Sequence, residues 1–261
     1  MKRKKRFKSD RLRRGIYILP NIFTSINLFC GFYAVIACID GKFVTGACTI
    51  IVAGLFDWLD GKIARATNTT SKFGVEYDSL ADLVSFGIAP ALMIYLWALK
   101  PLGRIGWVAA FIFMACGCLR LARFNTQVAR ISSDHFVGLP IPAGAGMNAV
   151  TVLIFSKFGI EGSAYPVVLL VLLYILSFLM VSTIKYNSFK KPELFRRTNW
   201  NALVGAVLIL GFIAAQPSIA LFLCGMVYIS SGPILYVRQY RKIKQKKADS
   251  RKADKHWANP V

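Results

Sequence analysis

The sequence predicts an all-α integral membrane protein, a polytopic bundle of about eight transmembrane helices. Three observations carry that expectation. Apolar runs of about 20 residues recur along the chain, each long enough to cross the hydrocarbon core of a bilayer as a helix. Hydrophobic residues make up 56% of the composition while the formal net charge is +21, a pairing foreign to soluble domains but natural where apolar spans alternate with basic loops. The lysines and arginines also collect in every second loop rather than evenly. A soluble, basic nucleic-acid binder is excluded by the apolar runs, and no nucleic acid is expected as a partner.

Residues 1–16, MKRKKRFKSDRLRRGI, form a basic arm punctuated by Phe7, Leu12 and Ile16. Such an arm is expected to be an interfacial amphipathic helix lying on anionic membrane lipid. It is too long and too basic for a cleaved leader, and no small-residue cleavage site follows it. The spans are expected near 17–39, 42–65, 73–98, 104–126, 138–157, 164–184, 200–216 and 218–237, with Gln216 and Pro217 making the exit of the seventh very tight. The transmembrane domain is therefore 17–237, and the charged tail 238–261 is expected to be disordered. The six cysteines all fall in apolar segments without a C-x-x-C pair, so neither a disulfide framework nor a zinc site is indicated.

Orientation follows from the loops. The arm, Arg65 to Lys72, Arg120 to Arg130, Lys185 to Arg197 and the tail hold most of the cations, whereas the alternate loops show only Lys42, then Lys100 and Arg104, then Lys157. By the positive-inside rule both termini are cytoplasmic, which requires an even number of spans. The expected location is the cell (inner) membrane.

Within this apolar chain, the hairpin GLFDWLDGKIARATNTTSKFGVEYDSLADLVS places Asp57, Asp60, Asp78 and Asp82 inside two spans. One charged side chain at the bilayer centre costs roughly 2.5–3.5 kcal/mol on insertion scales, so such residues face a protein interior or an aqueous cavity and need a partner. Asp57 and Asp60 are i,i+3 on one helix and Asp78 and Asp82 are i,i+4 on the next, so each pair shares a face. ATNTTSKF between them reads as a turn at the membrane surface. Counted from that turn, Asp57 and Asp82 lie roughly 13 Å deep at 1.5 Å per residue, with Asp60 and Asp78 shallower. If the two helices are antiparallel neighbours, the carboxylates converge at two levels on the cytoplasmic side. Hard oxygen ligands suit two divalent ions, Mg²⁺ or Mn²⁺, which take phosphate oxygens as further ligands. Gly61 and Ala64 beside the first pair and Gly74 before Asp78 leave room for a nucleotide to approach the backbone, and Arg65, two turns beyond Asp57, is placed to meet a phosphate.

Two further groups stand near the hairpin in this reading. Asn21, Thr24 and Asn27 make a polar stripe on the first span, either capping and hydrogen-bonding between helices or lining a nucleotide cavity. Arg120 and Arg123 end the fourth span, either as snorkelling anchors or as a site for the carboxylate of an amino-acid acceptor.

Asp57-x-x-Asp60-Gly61-x-x-Ala64-Arg65, eight residues, Gly74-x-x-x-Asp78-x-x-x-Asp82 resembles, at every position, the signature of the CDP-alcohol phosphotransferase family. LPNIFTSINLFCGF, RLARFN and GLPIPAGAG are similar to its phosphatidylserine synthase branch, so the likeness covers most of residues 15–157. The resemblance implies CDP-diacylglycerol and L-serine as substrates, a homodimer, and Asn21 and Thr24 at the nucleotide end of the cavity. It further implies CDP and phosphate contacts from Asp57, Asp60, Gly61, Ala64, Arg65, Gly74 and Asp78. Asp57, Asp60 and Asp78 are the expected metal ligands. Asp82 is expected to ligate the second ion and, as the deepest acid and the family's last aspartate, to act as general base; Arg120 and Arg123 are the acceptor-site candidates. Other acceptors, inositol phosphate or glycerol phosphate, would call for a denser basic pocket. Intramembrane acids also mark ion carriers, but the acidic hairpin has no second copy, as the repeated halves of many carriers would require.

Overall fold

The structure, a computed structural model, describes residues 2–67, 71–128, 135–187, 211 and 214–257. The described chain is helical apart from its turns and one short strand pair. Helix α1 spans Lys2–Ile39 and α2 spans Phe43–Thr67. The third helical run, α3, covers Lys72–Leu102, followed by α4 at Arg104–Val128, α5 at Ile141–Lys157, α6 at Pro166–Val181 and α7 at Pro217–Trp257. Among the described residues, five helical segments are long and apolar enough to cross a membrane: Pro20–Ile39, Phe43–Thr67, Lys72–Leu102, Arg104–Thr126 and Pro217–Val237. The shorter Pro166–Val181 is also apolar, and the span expected at 200–216 lies almost wholly outside the described residues.

The packing is that of a membrane bundle. Ala34, Ala47, Ala53, Ala81 and Ala89 have no exposed surface, so helix backbones approach closely where a membrane supplies no hydrophobic drive between helices. Large apolar side chains point outward instead, among them Phe29, Phe32, Leu55, Val171 and Phe178, as a lipid-facing surface requires. The protein is a multi-pass membrane protein. Its most extensive helix contacts pair α1 with α2, α1 with α3, α3 with α4, and α4 with α6.

α3 changes winding along its length. It is α-helical over Lys72–Asp82, π-helical over Leu83–Ile88, α-helical over Ala89–Ile94 and π-helical again over Tyr95–Leu99. Pro90 has no N–H to give and its ring crowds the preceding turn; the wider winding just before it accommodates that loss.

Three differences from the sequence reading are physical. The basic arm is not a separate helix: α1 runs on through Pro20 to Ile39. The tail continues α7 to Trp257 rather than leaving the helix at 238, because beyond Pro233 the sequence holds no glycine or proline until Pro260 and is rich in lysine, arginine, glutamine and alanine, all good helix formers. The third is a short strand pair among the helices: β1, His135–Val137, pairs antiparallel with β2, Lys185–Asn187, in the register His135 to Asn187.

That strand pair ties the approach to α5 to the exit from α6. Gly138, at φ 82°, turns the chain back, and a side chain there would come within 2.5 Å of the Met180 carbonyl oxygen. Tyr186 on β2 is fully buried. Its ring lies 5.6 Å from that of Tyr228 on α7, and its hydroxyl donates to the Ile229 carbonyl at 3.3 Å. Burial pushes the Tyr186 phenol up to about 12, so it remains a neutral donor.

Candidate active site

The α2–α3 hairpin brings the predicted acids together. Ligand oxygens of Asp57, Asp60 and Asp78 all lie within 4.8 Å of one another. Asp60 and Asp82 are buried, at 4% and 7% exposure. Asp82 is not one of the trio; it stands one turn further along α3, close enough to Asp57 and Asp78 to feel their charges. The two-level arrangement expected from helix geometry therefore has three acids in one group and Asp82 beside it.

The turn between the helices is set locally. Ser71 caps α3, its hydroxyl accepting the Gly74 N–H at 3.0 Å, which satisfies one of the donors a helix start leaves open. The cap puts Gly74 and Asp78 on the face toward α1. There the polar stripe meets the acids. The Thr24 hydroxyl lies 3.0 Å from Asp60 Oδ2 and 3.2 Å from the Pro20 carbonyl oxygen, one hydrogen serving both. The Asn27 amide donates to Asp82 Oδ1 at 3.1 Å. Both readings of the stripe thus have a structural counterpart, since Thr24 bonds between helices and also lines a cavity.

That cavity, of about 170 Å³, is bounded by Pro20, Asn21 and Thr24 from α1, Asp60, Gly61, Ala64 and Arg65 from α2, and Ser71, Gly74, Val75 and Asp78 around the start of α3. Every residue expected at the nucleotide end lines it except Asp57, which is reached through its acid neighbours. The Arg65 guanidinium folds over Gly61, 3.5 Å from where a side chain would begin.

The donor set fits a divalent cation. Among the described residues no lysine or arginine forms a salt bridge with any of the four acids; Arg65 and Arg120 act on Asp57 only at longer range. Asp78 Oδ1 is buried and has no hydrogen-bond partner among the described residues. A hard, all-oxygen cluster with an unsatisfied buried acceptor is what Mg²⁺ or Mn²⁺ would complete.

The two arginines separate. Arg120 lies near the deep acids, with Asp82, Tyr228 and Asp57 as its electrostatic neighbours, and its buried Nε has no hydrogen-bond partner among the described residues. Arg123 donates to the Val181 carbonyl at the end of α6, at 2.9 Å. Sequence reasoning missed Tyr228, which reaches Arg120 from α7, and the bond from the Asn125 amide to the Ser79 hydroxyl at 3.0 Å, which braces α4 against α3 beside Asp78. Asn125 lies inside the RLARFN stretch, so its signal was present; a lone tyrosine in an apolar span gives none.

Comparison with known proteins agrees with this geometry. The chain matches the CDP-alcohol phosphatidyltransferase family over residues 17–181, a segment that contains all four acids and both arginines. It is 38% identical over 226 residues to a CDP-diacylglycerol–serine O-phosphatidyltransferase of Helicobacter pylori (strain J99), covering 85% of this chain and 92% of the relative. An enzyme of the same name from Methanocaldococcus jannaschii is 32% identical over 225 residues, 86% of this chain and 97% of the relative. One from Bacillus subtilis is 38% identical over 186 residues, 70% and 98% respectively.

Proposed function

The chain belongs to the CDP-alcohol phosphatidyltransferase family, and from that premise we propose that it transfers the phosphatidyl group of CDP-diacylglycerol to the hydroxyl of L-serine, releasing CMP. The observation that carries this reading is the trio of carboxylates within 4.8 Å of one another, at a cavity whose other walls are small or polar. The names of the relatives support serine as the acceptor.

In this reading Asp57, Asp60 and Asp78 would hold a divalent ion, with Asp82 contributing to a second. Mg²⁺ or Mn²⁺ bound there would neutralise the pyrophosphate and polarise the phosphoryl group. The remaining work falls to side chains. Asn21, Thr24 and the open backbone at Gly61, Ala64 and Gly74 receive the nucleotide, and Arg65 meets a phosphate oxygen. Asp82 accepts the proton of the serine hydroxyl as its oxygen bonds to the phosphatidyl phosphorus, and the bond from that phosphorus to the bridging oxygen breaks, its electron pair leaving with CMP. Arg120, near Asp82, holds the serine carboxylate, for which a guanidinium fork is well shaped. The diacylglycerol chains stay in lipid, so the cavity opens sideways as well as to the cytoplasm. The catalytic domain is 17–237, flanked by the basic arm 1–16 and the tail 238–261. The protein is placed in the inner membrane with both termini cytoplasmic, and it works as a homodimer.

The direct test is purified protein with CDP-diacylglycerol, Mg²⁺ or Mn²⁺ and a panel of acceptors, following CMP. Serine-dependent release is the expected result. Release that requires glycerol phosphate or inositol phosphate instead would keep the chemistry and replace the acceptor, and divalent-cation flux without CMP would replace the whole reading. A second outcome is expected from the arginines. Arg120→Ala should raise the KM for serine by about tenfold or more, the loss of a charge-assisted pair being worth about 1.5–3 kcal/mol. Arg123→Ala should lower stability with little effect on that KM, since its partner is a backbone carbonyl. Equal, mild effects on serine KM would return both residues to anchoring.

A further inference from the structure

Asn27 bonds with only one end of its amide. Its Nδ2 donates to Asp82 Oδ1 at 3.1 Å, while its Oδ1 is buried with no hydrogen-bond partner among the described residues, and the residue has no exposed surface. An asparagine kept only to join α1 to α3 would be expected to use both ends, because a buried unsatisfied carbonyl costs about 1–3 kcal/mol. The end that is used faces the deepest acid.

The surroundings hold that end in place. Ser85, one turn beyond Asp82, donates its hydroxyl hydrogen to the Asn27 backbone carbonyl at 2.9 Å. Gly31, one turn beyond Asn27, lets the helices touch there: a side chain at Gly31 would meet Ser85 Cα at 2.6 Å and Cβ at 2.8 Å. Asp82 is also the last residue of the α-wound part of α3 before the π segment at Leu83–Ile88, a distortion often found at functional sites. Two hydrogen bonds and a backbone contact thus fix how α3 is rotated against α1 at the level of Asp82.

We propose that Asn27 is a positioning residue for the transfer step: clamped through Ser85 and Gly31, its amide fixes one oxygen of Asp82 and leaves the other aimed at the acceptor hydroxyl. The inference rests on the reading of Asp82 as the proton acceptor. Without the amide, the carboxylate can rotate, or swing toward Asp57 beside it, and meets the acceptor in the wrong geometry. Thr24 likewise donates to Asp60 one turn earlier on α1, so two of the three residues of the polar stripe each hold one acid.

The test uses the full chain with Asn27→Leu, Asn27→Ser and each in an Asp82→Asn background, measuring kcat, both KM values and the CDP-diacylglycerol-induced rise in melting temperature. Asn27→Leu should lower kcat on the order of ten- to a hundredfold, as loss of an orienting partner typically does, with KM for CDP-diacylglycerol and the melting shift unchanged. Asn27→Ser, which keeps a donor, should lose less. In the Asp82→Asn background neither should lower the residual rate further. Undiminished kcat in Asn27→Leu, an equal fractional loss in the Asp82→Asn background, or disappearance of the CDP-diacylglycerol melting shift in both variants would overturn the proposal. Asp82→Asn that still turns over sinks the proton-acceptor reading itself, whereas an inactive Asp82→Asn beside a fully active Asn27→Leu sinks the clamp alone.

Discussion

Asp82→Asn is expected to bind CDP-diacylglycerol as the unchanged chain does and to release CMP on the order of 10²–10⁴-fold more slowly, the range over which a positioned general base acts. The substitution preserves volume and leaves an oxygen to accept the Asn27 amide, so the α1–α3 contact survives. The cavity walls are other residues, Asn21, Thr24, Asp60, Arg65 and Asp78 among them, so nucleotide binding does not pass through Asp82. What is lost is the ability to take a proton at 7% exposure, where no bulk water stands ready to replace it. CMP release and the CDP-diacylglycerol dependence of the melting temperature report the two halves separately. Because Asp82 is also assigned to a second ion, metal concentration is the control. If raised Mg²⁺ or Mn²⁺ restores turnover, Asp82 is a ligand and not the base. A near-normal rate at ordinary metal levels would refute both roles.

How far the sequence carried this picture depends on the range of the contacts. The meeting of Asp57, Asp60 and Asp78 was legible because each pair is fixed by helical spacing and the two helices by one short turn, all local quantities. The membrane class was legible because apolar length is a property of composition. Contacts between distant segments were not. Nothing in the spacing of Arg120 and Arg123 says that one reaches the deep acids while the other caps the end of α6, since that depends on how α4 lies against α6. Tyr228 needs the placement of α7, and the strand pair at His135 needs the chain to return at Lys185. The depth count assumed uniform α winding, yet α3 widens immediately after Asp82. All four acids precede the change, so it leaves their spacing along the two helices unaltered. Any residue beyond Leu83 would have been assigned to the wrong face.

The acid trio makes a second expectation, in which stability and activity move in opposite directions. Without divalent ions, Asp78→Asn should melt at a higher temperature than the unchanged chain; with saturating Mg²⁺ or Mn²⁺ the gap should close. Three carboxylates within 4.8 Å repel one another. Two unit charges 4 Å apart in an effective dielectric of 20 interact by about 4 kcal/mol. Asp78 is the right member to change, because its buried Oδ1 has no donor to offset that repulsion, whereas Asp60 accepts from Thr24. An amide at 78 removes one charge and can donate to Asp57 or Asp60. The unchanged chain recovers its deficit only on binding metal, which at about 1,000 times Kd adds about 4.1 kcal/mol to the folded state. The variant, short of one ligand, should gain little. Its CMP release should fall by on the order of a thousandfold, if the metal supplies the several kcal/mol such ions usually do. Melting curves with and without metal, beside CMP release on the same preparation, decide the matter. If Asp78→Asn is less stable in chelator and still shows the full metal-induced shift, then the trio is a structural cluster, and the cation site has to be sought elsewhere in the chain.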